Sequence, residues 1–362
     1  MKKIISIVIV VVLLIGGYVL LRKPNTSSNT TALKVGIILP LTGDLSITGE
    51  KIYQGVQLAQ AELEKDGVTF VVEDSHSKPV DAVSAASKLL NVDKVDVIVG
   101  TYSPDETIAV APLALKANKS VFSFSFCSDS FLKLSNVFCG YPNADKQLDT
   151  AVPMIQKKGI KTIALIDGNS DFGQQSRDGM VRKAGTVGYT VVYNDLAPSG
   201  ARDYRTFATK IIAAKPDAVF TAMDNPTDAL EIIKELKQLG YKGTAITFVD
   251  PDNKNLAKYG QYGEGTFAPG IAPSKFSTAY TNAFKAKFNS EPDYASALGY
   301  DMTTYVVKVM QANPEKDATT AALSYSYKNP AITNFSFLPD HTVVYQMELQ
   351  MAKNQQYVKA EY

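Results

Sequence analysis

The chain has 362 residues, with 37 Lys and Arg against 36 Asp and Glu and a formal net charge of +1. That balance, with no basic patch interleaved with aromatics, argues against nucleic acid as a partner. The chain has no Trp, and its two His (His76, His341) and two Cys (Cys127, Cys139) do not make a metal site of usual spacing, so neither metal nor cofactor is expected.

At the N-terminus, Lys2 and Lys3 precede an uncharged apolar run, Ile4–Leu21, closed by Arg22 and Lys23. As a helix this run is about 27 Å long, close to the hydrocarbon thickness of a bilayer. It reads as an N-terminal transmembrane helix that meets the membrane through residues 4–21, or as a cleaved signal peptide. No A-x-A-like cleavage site follows it, which favours the anchor, and no Cys near its end could carry a lipid. Pro24–Ala32 (PNTSSNTTA) is a polar linker with too little apolar content to fold. Residues 1–23 are therefore read as anchor or signal, 24–32 as linker, and the remainder as lying outside the cytoplasm.

Leu33–Glu50 (LKVGIILPLTGDLSITGE) is an apolar β-like run, then Pro, then a Gly-bearing loop and a helix. A buried strand ending in such a loop at a helix N-terminus is where α/β proteins hold small ligands. Further apolar runs follow at Phe70–Glu73, Val95–Val99, Val121–Phe126, Thr162–Ile166, Thr190–Tyr193, Ala218–Ala222 and Ala245–Val249. Amphipathic stretches separate them. Ile52, Val56, Ala59 and Leu63 recur at helical spacing, as do Leu230, Ile233, Leu236 and Leu239 before Gly240. Such alternation predicts parallel sheets covered on both faces. The pattern runs twice, with a seam near Gly140–Asp145, and about 330 residues is long for one core, so two lobes are expected. Thr342–Leu349 and Gln356–Val358 alternate like an antiparallel hairpin.

Signatures of enzymes are missing. The sequence has no G-x-x-x-x-G-K-[ST], no G-x-S-x-G and no G-x-G-x-x-G after a strand. The adjacent carboxylates Glu73 and Asp74 point to opposite faces of their strand. Cys127 and Cys139, in an oxidising compartment, make a disulfide worth roughly 2–3 kcal/mol, or remain two buried thiols.

VGIILPLTGDLSITGEKIYQGVQLA, VVEDSHSKPVDAVSAASKLL, VDVIVGTYSPDETIAVAPLA, VFSFSFCSDSFL, TIALIDGNSDFGQQ, DYRTFATKIIAAKPDAVF and ALGYD follow one another in an order and spacing that resembles the leucine/isoleucine/valine-binding proteins. These are type I periplasmic binding proteins that feed ABC importers. The resemblance runs from Leu33 to about Tyr357. It implies two doubly wound parallel-sheet lobes joined by a three-crossover hinge, with a ligand cleft between them. Lobe 1 would be 33–145 with about 275–330, and lobe 2 would be 146–274 with about 331–362. It implies no enzyme. Its function would be capture of a small polar ligand, an amino acid or related amine, and delivery to an ABC permease. A membrane-anchored receptor domain that signals to a partner would use the same fold.

Residue by residue, the resemblance places Thr48 over the ligand, unless it caps the helix behind it. It places Ser103, Pro104 and Asp105 where the family holds a ligand carboxylate. Pro104 aligns with the family's Ser or Thr and offers neither hydroxyl nor N–H, and Asp105 repels an anion, so recognition of a carboxylate there would fall to Ser103. Phe126 and Ser128 fall where the family offers a carbonyl and a hydroxyl; Phe126 is either a cleft wall or a core residue. Phe172 takes the position of the ring that packs on the ligand, with helix stapling as its other role. Asp224 and Asn225 sit at a strand's C-terminal end, where they face the ligand or turn the chain. Asp250 stands where the family often has an acid for a ligand ammonium, or caps a helix.

Overall fold

The computed structural model describes residues 33–362 apart from 128–129, 131–132, 199, 202, 249–252, 272–274, 315, 329 and 333, with backbone alone at 253–255. The run Ile4–Leu21, the linker, Ser128 and Asp250 lie outside the described residues. Among the described residues no helix is long and apolar enough to cross a membrane.

The first half alternates strand and helix: β1 (Lys34–Leu39), α1 (Ser46–Leu63), β2 (Thr69–Asp74), α2 (Pro79–Lys88), β3 (Val97–Gly100), α3 (Pro104–Lys116), β4 (Val121–Phe126) and β5 (Val137–Tyr141). Its strands are all parallel, in the order β2-β1-β3-β4-β5. Strands such as β3 and β4 are buried along their whole length, as apolar runs must be when helices cover both faces of a sheet. The second half repeats the alternation: α4 (Ala144–Asp149), α5 (Val152–Lys157), β6 (Thr162–Gly168), α6 (Asp171–Val187), β7 (Thr190–Ala197), α7 (Arg205–Ala213), β8 (Ala218–Thr221), α8 (Pro226–Gln238), β9 (Thr244–Thr247), α9 (Asn253–Tyr259) and β10 (Phe267–Gly270). The chain then runs through α10 (Thr278–Phe288), α11 (Tyr294–Ala312), α12 (Ala318–Ser324), β11 (Ser336–Phe337), β12 (Val343–Val344), β13 (Glu348–Lys353) and β14 (Gln356–Lys359). The second sheet has the order β14-β13-β10-β9-β8-β6-β7, parallel from β7 to β10, with β13 and β14 antiparallel at one edge.

Each sheet has its own core, so the molecule has two lobes. The chain crosses between them three times: from β5 to α4, from β10 to α10, and from β12 to β13. The helices α10 to α12 return to the first lobe. α11 lies against α1 at a spacing only glycine permits, since a Cβ on Gly55 would run into the Ser296 carbonyl and one on Gly299 into the Ile52 carbonyl.

Residues 331–345, expected with lobe 2, pack instead into the first core through Ala331, Ile332, Phe335, Val343 and Tyr345. The buried Asp301 carboxylate of α11 holds them there, accepting the N–H groups of Ala331 and Ile332 at 2.6 Å each and the Tyr327 hydroxyl at 3.1 Å. The expected hairpin is displaced for the same reason. It joins β13 to β14, whereas Val343–Val344 pairs with Ser336–Phe337. β5 and β10 have no counterpart among the expected strands. Gly140 and the Pro269–Gly270 pair read as breaks in sequence. Pro269 is tolerated because β10 pairs with β9 only at Phe267 and then runs along β13.

Candidate ligand site between the two sheets

The C-terminal ends of the strands in both sheets converge on one cleft, which holds a cavity of about 60 Å³. The first lobe contributes Leu45, Ile52, Tyr102, Ser103, Pro104, Phe124, Ser125, Phe126, Tyr141, Tyr294, Ala295 and Leu298; the second contributes Gln147, Phe172, Asp224 and Phe248.

Phe126 ends β4 but its ring belongs to the core of the other lobe, where it meets Phe172 edge-on at 4.9 Å. Phe172 also leans on Phe248 at 6.3 Å. Gly173 makes this possible, because a Cβ there would overlap the Gly168 carbonyl, and only glycine lets the start of α6 sit on the end of β6. Ser170 caps α6 by accepting the Gly173 N–H at 3.1 Å, and its own hydroxyl donates to the Asp224 carboxylate at 2.6 Å.

Ser103 caps α3 in a capping box. Its hydroxyl accepts the Glu106 N–H at 3.2 Å, and the Glu106 carboxylate accepts the N–H groups of Tyr102 at 3.2 Å and Ser103 at 3.3 Å. Glu106 is buried, and the Ser75 hydroxyl donates to its other oxygen at 2.7 Å. Burial raises the Glu106 pKa, while the Ser75, Tyr102 and Ser103 donors pull it down and Asp105 pushes it up.

Thr48 is not the cap of α1, since the residue before the helix is Leu45 and makes no side-chain cap bond. It lies buried in the first turn and does not line the cleft; its hydroxyl, with that of Tyr294, bonds the Tyr102 hydroxyl, whose pKa burial raises. Asn225 caps α8 by accepting the Thr227 N–H at 2.9 Å and hydroxyl at 2.8 Å, and it too stands away from the lining. Asp105 is exposed at the outer edge of the cleft. Even so, partial burial of its carboxyl, then the nearby Asp171 charge, raise its pKa, against a lowering bond from the Asp171 N–H. Burial likewise raises Asp224, with Ser170 lowering it and Asp105 raising it. Cys127 and Cys139 are joined, Cα to Cα 5.3 Å, tying the end of β4 to β5 beside the cleft.

Of the residues expected at the site, Ser103, Pro104, Phe126, Phe172 and Asp224 line the cleft. Sequence reasoning missed Tyr102, Phe124, Ser125, Tyr141, Gln147, Phe248 and Tyr294. Tyr102 and Ser125 adjoin residues that were singled out, and Tyr294 stands just ahead of ALGYD, so these were within reach. Gln147 carries no sequence signal.

The sequence profile described as periplasmic binding protein matches residues 32–356. The chain belongs to the periplasmic binding protein family. That family and the relatives matched are binding proteins, not enzymes. This periplasmic binding protein is 25% identical to a Leu/Ile/Val-binding protein of Rhizobium johnstonii, over 78% of this chain and 79% of that one. In fold it is similar to a leucine binding protein from Thermotoga maritima, with a TM-score of 0.84 at 19% identity, covering 91% of this chain and 98% of the other. It is also similar to an ABC transporter solute binding protein from R. palustris in complex with 4-hydroxybenzoate, with a TM-score of 0.81 at 21% identity and coverage of 91% and 96%.

Proposed function

We propose that the chain is an extracytoplasmic solute-binding protein that captures a small ligand, an amino acid or related amine, between its lobes and hands it to an ABC importer. The observation that carries this reading is the cleft walled from both sheets at the C-terminal ends of their strands. Lobe 1 is then 33–145 with about 275–345 and lobe 2 is 146–274 with about 346–362, and closure is a hinge motion about the three crossings. Phe126, Phe172 and Asp224 are proposed to contact the ligand, with Ser103 and Pro104 at the rim. Asp250 and Ser128 stay proposed from sequence. The basic-flanked run Ile4–Leu21 supports export and retention at the membrane. Relatives named for leucine, isoleucine and valine binding support an amino-acid ligand; the 4-hydroxybenzoate complex supports a cleft of this fold that takes a ring.

A thermal-shift screen against the amino acids, small amines, amides and aromatic acids tests the proposal. Ligand at a hundredfold excess over Kd stabilises the native state by about 2.7 kcal/mol. A shift with one chemical class supports capture; no shift with any class removes the small-solute reading.

A further inference from the structure

The polar lining of the cleft is one-sided. Asp224 is the one charged residue among the described residues that line it, and no Lys, Arg or His joins it. Ser125 is 2% exposed and Gln147 fully buried; both line the cavity, and the Ser125 Oγ and Gln147 Oε1 have no hydrogen-bond partner among the described residues. Gln147 donates its Nε2 to the Pro142 carbonyl at 2.7 Å, which fixes Oε1 as the acceptor left over. Asp224 accepts from Ser170 and, as a carboxylate, has further acceptor sites.

Most of the amide donors that would hold an anion at the start of α3 are taken. At the start of α3, the Tyr102 and Ser103 amides are bound by the chain's own Glu106 carboxylate, the Glu106 amide is bound by Ser103, and Pro104 has none. Asp105 remains, and its carboxylate opposes an incoming anion. An internal carboxylate thus occupies the place that a ligand carboxylate would take at a helix N-terminus.

We infer that the cleft selects an apolar-bodied primary amine that carries no carboxylate. Its ammonium brings three N–H donors to the three acceptors Asp224, Gln147 and Ser125, and its body lies among Phe124, Phe126, Phe172 and Phe248, whose faces also attract a cation. A ligand carboxylate would enter a site with no basic residue among its described lining and with three of the amides at the start of α3 already bound, at a high desolvation cost. This inference rests on the reading of the cleft as a solute site.

The test is calorimetry on the full chain with two matched series: 3-methylbutylamine, leucine and 4-methylpentanoate; and 2-phenylethylamine, phenylalanine and 3-phenylpropanoate. In at least one series the amine is expected to bind at least about tenfold more tightly than its amino acid and its acid. Asp224→Asn and, independently, Ser125→Ala are each expected to weaken that amine about tenfold or more. If members of the series bind but in neither series the amine leads by about tenfold, the inference is overturned and the solute-binding reading stands. If no member of either series binds with a Kd below about 1 mM, the inference and that reading fall together.

Discussion

The ring of Phe126, at the end of β4 in the first lobe, and the ring of Phe172, at the start of α6 in the second, meet edge-on with centroids 4.9 Å apart. This pair is a lobe-to-lobe contact at the cleft itself. An edge-on aromatic pair contributes about 0.5–1.5 kcal/mol beyond the area it buries. Phe172→Leu keeps the apolar volume and removes the ring, so it is expected to weaken binding of the cleft ligand by about 1 kcal/mol with a near-native melting temperature. Calorimetry on the folded variant decides this, and an unchanged Kd would place the ring outside the ligand contact.

Asp224 should give stability and binding opposite slopes with pH. Its pKa in the folded chain lies above the usual 3.8, chiefly through burial. A carboxylate raised on folding contributes most below its unfolded value, and that contribution is lost as pH rises through the folded value. Asp224→Asn keeps the acceptor for Ser170 without the charge, so its melting temperature relative to wild type should climb as pH rises above the usual carboxylate range. Amine affinity of the wild type should fall on acidification over the same window. A pH-independent difference in melting temperature would show that Asp224 is not desolvated as described.

The Cys127–Cys139 bond closes a short loop, with a sequence separation of 12. Replacing both by Ser is expected to lower unfolding free energy by roughly 2–3 kcal/mol in denaturant titration. Mass measurement of unreduced, alkylated protein checks the bond itself, and labelling of both thiols would rule it out.

Asp301→Ala would strand two buried backbone N–H groups at Ala331 and Ile332, together with the Tyr327 hydroxyl. Each unsatisfied donor costs about 1–3 kcal/mol, so the variant should lose about 3 kcal/mol or more. Faster hydrogen exchange at 331–345, with the second lobe unaffected, is the expected local signature.

The repeated alternation of buried apolar runs and amphipathic stretches made the two sheets legible, because parallel strands need continuous burial and helices need their 3.6-residue stripe. β10 was hidden by Pro269 and Gly270, whose local preferences oppose a strand and are overruled by pairing with β13. The ownership of 331–345 was hidden because it depends on one distant carboxylate, Asp301. At the cleft, Phe126, Phe172 and Asp224, which line it, were placed by the family resemblance. Gln147 was not, since only the placement of α4 beside the crossing brings it to the cavity. Glu106 reads as an ordinary helix-start acid, and its claim on the Tyr102 and Ser103 amides emerges only from the folded capping box.

The first core joins β1 near residue 35 to Val343 and Tyr345, while most of the second sheet comes from the continuous stretch 162–270. As the chain lengthens, the second lobe acquires nearly all its strands long before the first lobe receives α10–α12 and the segment that Asp301 fastens. Contacts of such sequence separation form slowly. The first sheet therefore has all five of its strands early, yet goes without α10–α12 and its closing segment until synthesis is almost over, so the half made first is the half finished last.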